Sequence, residues 1–270
     1  MTAAYPREPV PVLMYPPAMT LRLEAAGITH RGTVRDNNED CIAIGFWVSQ
    51  ETMAAARHFD HALDLPFACI VADGMGGHND GERASLLVAR SLARRLVATG
   101  LSGVDATLRA VNAELFAQLR DHPELAGMGS TAVGLAANEA KLAIFNVGDS
   151  RAYKRVPAGL MQLSVDDSLQ PNWKAGSGVE RSTKLLQCFG GRSTFTDIEP
   201  HLVFEPCVPG ATYLLCCDGL YEALTETEMA ALIGEDLRAS AEALLHAALE
   251  KKARDNVTIA LVRLAAQRPA

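Results

Sequence analysis

Acidic residues stand at five widely separated places in this chain, each in a short segment marked by glycine, asparagine or the end of an apolar run. The segments are Asn38-Glu39-Asp40, Asp73-Gly74, Gly148-Asp149, Asp218-Gly219 and Asp255-Asn256. Two of the apolar runs, residues 67–72 and 213–217, are typical of buried strands and stop at an Asp-Gly pair. A buried carboxylate without a partner is strongly unfavourable, so acids that converge at strand ends need cations to neutralise them. The pattern therefore indicates a hydrolase that uses divalent metal ions.

The elements that must position these acids can be predicted from hydrophobic periodicity. We expect strands at residues 20–28, 41–48, 66–72, 131–137, 141–147, 152–155, 201–204, 211–217 and 257–264. Helices are expected at residues 84–98, 104–119, 222–233 and 240–253, and residues 165–194 are expected to be irregular. Because helices come in pairs between runs of strands, the order favours an α+β layered domain over an alternating parallel-sheet fold.

Composition limits the possible classes of protein. The chain has 270 residues, 49% of them hydrophobic, which is enough for one large core. The acidic segments extend from residue 39 to residue 255, so we predict a single domain over residues 19–266 that follows a proline-rich tail over residues 1–18. A net charge of −7 argues against nucleic acid or an anionic membrane as a partner. The six cysteines form no CxxC pair, and neither a signal peptide nor a long apolar stretch is present, which predicts a cytoplasmic protein with reduced thiols.

Six motifs, in order, resemble those of the PP2C (PPM) family of metal-dependent serine/threonine protein phosphatases, in its compact bacterial form. They are Arg35-Asp36-Asn37-Asn38-Glu39-Asp40, Asp73-Gly74-Met75-Gly76-Gly77-His78 with Gly81-Glu82-Arg83-Ala84-Ser85, Gly129-Ser130-Thr131-Ala132, Asn146-Val147-Gly148-Asp149-Ser150-Arg151-Ala152-Tyr153, Asp218-Gly219-Leu220 and Asp255-Asn256-Val257-Thr258. The resemblance implies a central β-sandwich of two antiparallel sheets flanked by helix pairs, in α-β-β-α layers, with the metal site at one end.

The resemblance also implies roles for individual residues. Two Mn²⁺ or Mg²⁺ ions, with a possible third, would activate a water for attack on phosphorus. Asp73 would bridge the two ions, and Gly74 would complete one of them through its carbonyl oxygen. Asp218 and Asp255 would hold the other ion, and Asp149 with Asp218 would bind the third. Glu39, also assigned to the metal set, and Asp40 would orient metal-bound waters. The oxygen donors agree with this choice of ions, because zinc sites usually contain His or Cys.

Two further residues bear on the chemistry. Arg35 is the candidate phosphate clamp, because a guanidinium can bind two phosphate oxygens at once. Met75 stands where many eukaryotic relatives have a histidine proposed as the general acid, and a thioether cannot donate a proton. A metal-bound water is then the simplest proton source for the leaving alcohol, and His78 is a weaker candidate for proton transfer.

Other interpretations of single motifs are less favoured. Ser150 lies in a degraded G-x-S-x-G pattern, but a strand rather than a helix is expected to follow it. Cys188 and Arg192 are too close for the loop of cysteine phosphatases, and His58 and His61 are expected in a polar connection between strands.

We therefore predict hydrolysis of phosphoserine and phosphothreonine in proteins, with a phosphoprotein substrate and an opposing Ser/Thr kinase as partners. The protein is expected to be a monomer that binds neither nucleic acid nor membrane. The alternatives are a catalytically silent phospho-ligand binding protein of the same fold and a phosphatase of small phosphomonoesters.

Overall fold

A computed structural model of the chain describes residues 21–63, 65–76, 80–182 and 184–266. Its strands are β1 (Leu21–His30), β2 (Cys41–Ile44), β3 (Trp47–Ser49), β4 (Arg57–Ala62), β5 (Phe67–Ala72), β6 (Gly74–Met75), β7 (Gly129–Ser130), β8 (Ala132–Ala137), β9 (Lys141–Val147), β10 (Arg151–Val156), β11 (Gly159–Gln162), β12 (Phe189–Gly190), β13 (His201–Pro206), β14 (Thr212–Cys216) and β15 (Val257–Ala266).

The helices are α1 (Asp80–Thr99), α2 (Val104–Asp121), α3 (Asp218–Ala223), α4 (Glu226–Leu232) and α5 (Leu237–Glu250), with single 3₁₀ turns at Leu101–Gly103 and Pro123–Leu125. Across the described ranges, no helix combines the length and the apolar character needed to cross a bilayer.

Two six-stranded sheets form the centre of the fold. One has the order β11-β10-β14-β15-β1-β4 and the other the order β13-β9-β8-β5-β2-β3, and every pairing between neighbouring strands in them is antiparallel. The first and last strands pair along their whole length, from Leu21 opposite Ala266 to His30 opposite Val257. The first and last of the described strands are therefore neighbours within one sheet.

Alternation of side chains along the strands assigns each residue to one of two layers, because successive residues of a strand point to opposite faces. In β5, Cys69 and Val71 pack between the two sheets, whereas Ile70 packs against helices α1 and α2. In β15, Val262 faces the other sheet and Leu261 faces the helix layer that contains α5. Both faces of each sheet are covered, which explains why these strands are continuous apolar runs.

The helices form the two outer layers. Helices α1 and α2 bury their apolar stripes on the sheet that contains β5, and helices α3 to α5 cover the sheet that contains β1. Helix α4 begins at a capping box in which Thr225 and Glu228 each accept a backbone N–H of the other, and the side chain of Asp236 caps α5. The predicted α+β fold with α-β-β-α layers is confirmed.

Three predicted elements differ from the structure. Residues 41–48 are a hairpin of β2 and β3 rather than one strand, because Gly45, with a φ of 57°, reverses the chain. His58 and His61, expected in a polar connection, lie in the edge strand β4, which pairs with β1. Residues 222–233 contain parts of two helices, since the chain leaves the helical conformation at Leu224 and Thr225. The predicted tail over residues 1–18 lies outside the described residues.

Candidate active site

The ends of six strands converge at one edge of the sandwich and carry the predicted acidic residues. Asp73 follows β5 and Asp40 precedes β2, and the pairing of Cys41 with Ala72 brings the two acids side by side. Asp218 follows β14, whose Cys216 pairs with Ile259 of β15, so that Asp218 and Asp255 also lie at this edge. Antiparallel pairing explains the convergence, because one strand begins where its neighbour ends.

A fifth acid, Asp149, reaches the same edge through the turn between β9 and β10. Residues from seven segments then line a pocket of about 540 Å³, and the acidic ones are Glu39, Asp73, Asp149, Asp218 and Asp255. Asp40 is next to Asp73 through the pairing of Cys41 with Ala72, and it is only 1% exposed. The structure therefore brings together all of the carboxylates that the sequence analysis selected.

The carboxylate of Asp40 is held by a chain of two threonine hydroxyl groups. Its Oδ2 atom accepts a hydrogen bond of 2.6 Å from Thr258, and Thr258 in turn lies 2.6 Å from the hydroxyl of Thr29. Its Oδ1 atom is buried and has no hydrogen-bond partner among the residues that the structure describes, and the same is true of Oδ1 of Asp218. Buried oxygens of this kind are unfavourable unless a proton or a cation satisfies them.

The crowding of acids raises their pKa values. Burial raises the pKa of Asp40 to about 7, and the charges of Asp218 and Asp255 add to the effect, against hydrogen bonds from Thr258 and Cys217 that lower it. The pKa of Asp73 is raised well above its usual value, first by desolvation and then by the neighbouring carboxylates. Each of these carboxylates would therefore be stabilised by a cation that replaces its proton.

Arg181, an arginine that the sequence analysis did not select, lies among the outer carboxylates, by which we mean those of Asp149, Asp218 and Glu222. Its guanidinium is paired with Asp149, Asp218 and Glu222, at 2.8 Å in the case of Asp218, and donates a 2.7 Å hydrogen bond to the Tyr221 hydroxyl. The side chain is only 6% exposed. Burial and the charge of Asp218 raise the pKa of Asp149 to about 7, and Arg181 opposes this rise.

The loop that carries Glu39 is held by Asn256, the residue after Asp255. The Asn256 side-chain oxygen accepts a 2.8 Å hydrogen bond from the Glu39 backbone N–H, and its amide group donates to the carbonyl oxygens of Arg31 and Asn37. Arg35 lies at the rim of the pocket, half exposed, with its Nη2 atom 2.6 Å from Oδ2 of Asp255. The candidate phosphate clamp and a candidate metal ligand are thus paired with each other.

The glycines of two Asp-Gly pairs are required by close backbone approach. A Cβ atom on Gly74 would lie 2.2 Å from the carbonyl oxygen of Gly81, and one on Gly219 would lie 2.0 Å from the carbonyl oxygen of Asn256. Both distances are far shorter than any real contact, so no other residue fits without a backbone shift.

The remaining candidates from the sequence lie in different environments. Ser150 is fully buried, shares a 2.7 Å hydrogen bond with Thr131 and precedes strand β10, so it is not placed as an exposed nucleophile. Met75 and Cys188 line the pocket, and the pKa of Cys188 is raised, mainly by burial. His78 lies outside the described residues.

The residues that could hold cations are the carboxylates around Asp73 and the Gly74 carbonyl. Within the described part of the chain, no group of three or more His, Cys, Asp or Glu side chains is arranged so that it could hold a metal ion. Instead, Arg35 is paired with Asp255, and Arg181 with the outer carboxylates. The two unpartnered oxygens and the hard-oxygen donor set fit Mn²⁺ or Mg²⁺.

The sequence analysis did not identify some of the residues that support the candidate site. Arg181 lies in a stretch expected to be irregular, where no periodicity or motif marks it. Thr258 and Asn256 were included in a motif, but their hydrogen bonds to Asp40 and to the Glu39 loop depend on residues more than 200 positions away. Only the tertiary contact shows what they support.

The chain is similar to known protein phosphatases. A family model described as protein phosphatase 2C matches residues 55–252. The serine/threonine protein phosphatase PstP of Mycobacterium tuberculosis is 33% identical over 256 residues, which cover 89% of this chain and 45% of that protein. The chain therefore spans about half the length of this relative. The serine/threonine phosphatase stp of Listeria monocytogenes is 29% identical over 252 residues, covering 87% of this chain and 93% of that protein.

Among solved structures, the catalytic domain of PstP in complex with two manganese ions superimposes with a TM-score of 0.71 at 32% identity. The match covers 91% of this chain and all of that one. The resemblance inferred from the six motifs is confirmed: the chain belongs to the protein phosphatase 2C family.

Proposed function

We propose that this protein hydrolyses phosphoserine and phosphothreonine in other proteins, with two Mn²⁺ or Mg²⁺ ions and a possible third. The observation that carries the proposal is the group of carboxylates at one edge of the sandwich, two of which have buried oxygens without partners. The relative that binds two manganese ions has a similar domain and supports the same chemistry.

The proposed ligands are Asp73, the Gly74 carbonyl, Asp218, Asp255 and Glu39, with Asp149 and Asp218 for the third ion. When bound, such ions lower the pKa of water to near neutrality and polarise the phosphoryl oxygens. The raised pKa values of Asp40 and Asp73 support this assignment, because the acids gain stability when a cation neutralises them.

Three other residues would act on the substrate side of the pocket. Arg35 would exchange its ion pair with Asp255 for two oxygens of the phosphoryl group and stabilise charge in the transition state. Glu39 and Asp40 would orient the attacking water. Met75 cannot donate a proton, so the leaving alkoxide would take its proton from water in the pocket.

The partners follow from the reaction. The substrate would be a phosphoprotein, and a Ser/Thr kinase would supply it. We propose a cytoplasmic monomer that binds neither nucleic acid nor membrane, in agreement with the net charge of −7. The phosphatase domain would extend over residues 19–266, preceded by a tail over residues 1–18.

The test is phosphate release from a phosphothreonine peptide and from para-nitrophenyl phosphate, first in EDTA and then with increasing Mn²⁺ or Mg²⁺. We expect turnover of both substrates only with metal. Asp73→Asn and Asp218→Asn should each lower kcat by at least about 100-fold, because the amide has the size of the carboxylate but not its charge.

The matched control is Asp60→Asn, which alters an exposed carboxylate on the edge strand β4, paired with Arg22. It should leave turnover unchanged. Turnover that persists in EDTA would contradict the metal mechanism, and wild-type rates in Asp73→Asn would contradict the ligand assignment. Phosphopeptide binding without turnover in metal would instead favour the silent binding protein.

A further inference from the structure

A second cavity lies next to the pocket of about 540 Å³ that contains the acidic residues, which we call the catalytic pocket. It has a volume of about 420 Å³ and is enclosed by the end of α2, the 3₁₀ turn that follows it and residues 192–195. Phe116, Leu119 and Phe195 supply its apolar walls, and Arg120 and Arg192 supply its charged ones. A cavity of this size can take one large apolar side chain with room for the backbone that carries it.

The walls of this cavity are held in place by contacts between α2 and residues 190–198. The Asn112 side chain accepts a hydrogen bond from the Gly190 N–H and donates one of 2.9 Å to the Thr196 carbonyl oxygen. Arg109 pairs with Asp197 at 2.9 Å. Since these contacts lie on both sides of Phe195, the cavity does not require a ligand to form.

Phe195 is the exposed part of this surface. Its ring meets the buried Phe116 ring edge to face, with the centroids 5.2 Å apart, and yet 58% of the residue remains exposed. Single exposed apolar residues are common on protein surfaces. Phe195 differs because it forms the wall of a cavity whose other wall is part of the core.

Arg192 lines both this cavity and the pocket that contains the acidic residues, so the two adjoin at this side chain. A peptide whose phosphorylated residue lies in the catalytic pocket would therefore pass Arg192 before it reaches Phe195. Arg120 and Arg192 make this route positive in a protein of net charge −7, which favours an acidic segment.

We propose that the cavity between Phe116 and Phe195 binds a large apolar side chain of the substrate, close in sequence to the phosphorylated residue. An acidic residue of the same segment would meet Arg120 and Arg192. This inference rests on the proposed phosphatase function and adds a substrate class to it: phosphoprotein segments that combine an apolar and an acidic residue near the phosphorylation site.

The experiment compares two sets of phosphothreonine peptides. In the first set, one leucine is moved through the positions on either side of the phosphothreonine, and in the second set alanine stands at each of these positions. The wild-type protein is expected to prefer leucine at one position by about tenfold in kcat/KM, because burying such a side chain lowers the free energy of binding.

Phe195→Ala should remove this preference while leaving the alanine peptides and para-nitrophenyl phosphate unchanged. Phe204→Ala is the matched control, because Phe204 is 54% exposed and lies on β13, away from both cavities. Arg120→Glu should lower kcat/KM for peptides with an acidic flank and leave neutral ones unchanged. An unchanged leucine preference in Phe195→Ala would overturn the proposal.

Peptide binding is measured in parallel by fluorescence anisotropy, which does not depend on turnover. If para-nitrophenyl phosphate is not hydrolysed with Mn²⁺, the proposed function fails, but the affinity difference between leucine and alanine peptides still tests the cavity. Sedimentation of the same variants tests whether a second copy of this chain occupies the cavity instead of the substrate. A protein that self-associates, loses this association in Phe195→Ala and shows no leucine preference would have an interface between two copies here, and the proposal would be wrong.

Discussion

The metal-free protein is expected to become less stable as the pH rises from about 5.5 to about 8. Asp40 and Asp149 each have a pKa of about 7 in the folded protein, against an ordinary value of 3.8. An acid whose pKa is raised by folding contributes stability that is fully present below the unfolded pKa and is lost as the pH rises through the folded pKa. The expected direction is the reverse of that for a carboxylate whose pKa is lowered on folding.

The magnitude follows from the two pKa values. At pH 5.5 the folded protein keeps a proton on such a group, whereas the unfolded chain has released it, and the difference contributes roughly 2 kcal/mol per group. By pH 8 almost nothing of this contribution remains. For Asp40 and Asp149 together the loss is roughly 4 kcal/mol, which for a domain of this size corresponds to a fall in Tm of roughly 8–16 °C.

The assay is urea unfolding followed by circular dichroism, in EDTA, at pH 5.5, 7 and 8, with thermal scans alongside. His30, whose pKa is lowered mainly by burial, acts in the opposite direction at the acidic end of this range. Asp40→Asn should remove the contribution of that carboxylate, roughly 2 kcal/mol, and leave the contributions of Asp149, Asp73 and His30 intact. Saturating Mn²⁺ should also abolish the loss, since cations then replace the protons.

Equal or greater stability of the metal-free protein at pH 8 than at pH 5.5 would refute this reasoning. An unchanged pH dependence in Asp40→Asn would refute the assignment to that carboxylate, even if the overall trend were as expected.

Three further predictions concern single side chains. Arg181→Ala should destabilise the metal-free protein by about 3 kcal/mol in urea unfolding, because buried carboxylates lose their partner, and Mn²⁺ should recover most of the loss. Lys174→Ala, which breaks an exposed ion pair, is its control and should cost under about 1 kcal/mol, so equal losses would contradict the assignment. Met75→His should change phosphopeptide turnover by less than about twofold if water supplies the proton, and a large gain in kcat would show that leaving-group protonation limits the reaction. Asn256→Ala should lower the free energy of unfolding by about 2 kcal/mol and reduce kcat, because the Glu39 loop loses its buried hydrogen bonds, and unchanged kcat would show that the loop is held by other contacts.

Much of the fold could be predicted from periodicity, because the layers are regular. The prediction for β9 matches the observed strand at both ends, and helices α1, α2 and α5 were predicted within four residues at each end. The errors have different local causes. Gly45 turns a predicted strand into a hairpin, and β4 was missed because its mostly exposed, polar sequence resembles a loop.

At the candidate site, too, some residues could be identified from the sequence and others could not. The carboxylates could be selected because Asp-Gly pairs at the ends of apolar runs are visible in the sequence, and the resemblance of six motifs assigned roles to them. Arg181 could not be selected, because nothing local distinguishes it from the other arginines. Its significance comes from contacts with Asp149, Asp218 and Glu222, each at least 32 residues away.

The sequence by itself thus determined the family, the layer order and the identity of the acidic side chains, because these depend on residue type and spacing along the chain. Only the tertiary structure decided which charges meet: Arg35 with Asp255, Arg181 with the outer acids, and Thr258 with Asp40. It also decided that the apolar cavity behind Phe195 opens beside the catalytic pocket. The physical reason is that ion pairs, desolvation and cavities depend on distances in space, and antiparallel pairing brings together residues that are far apart in the chain.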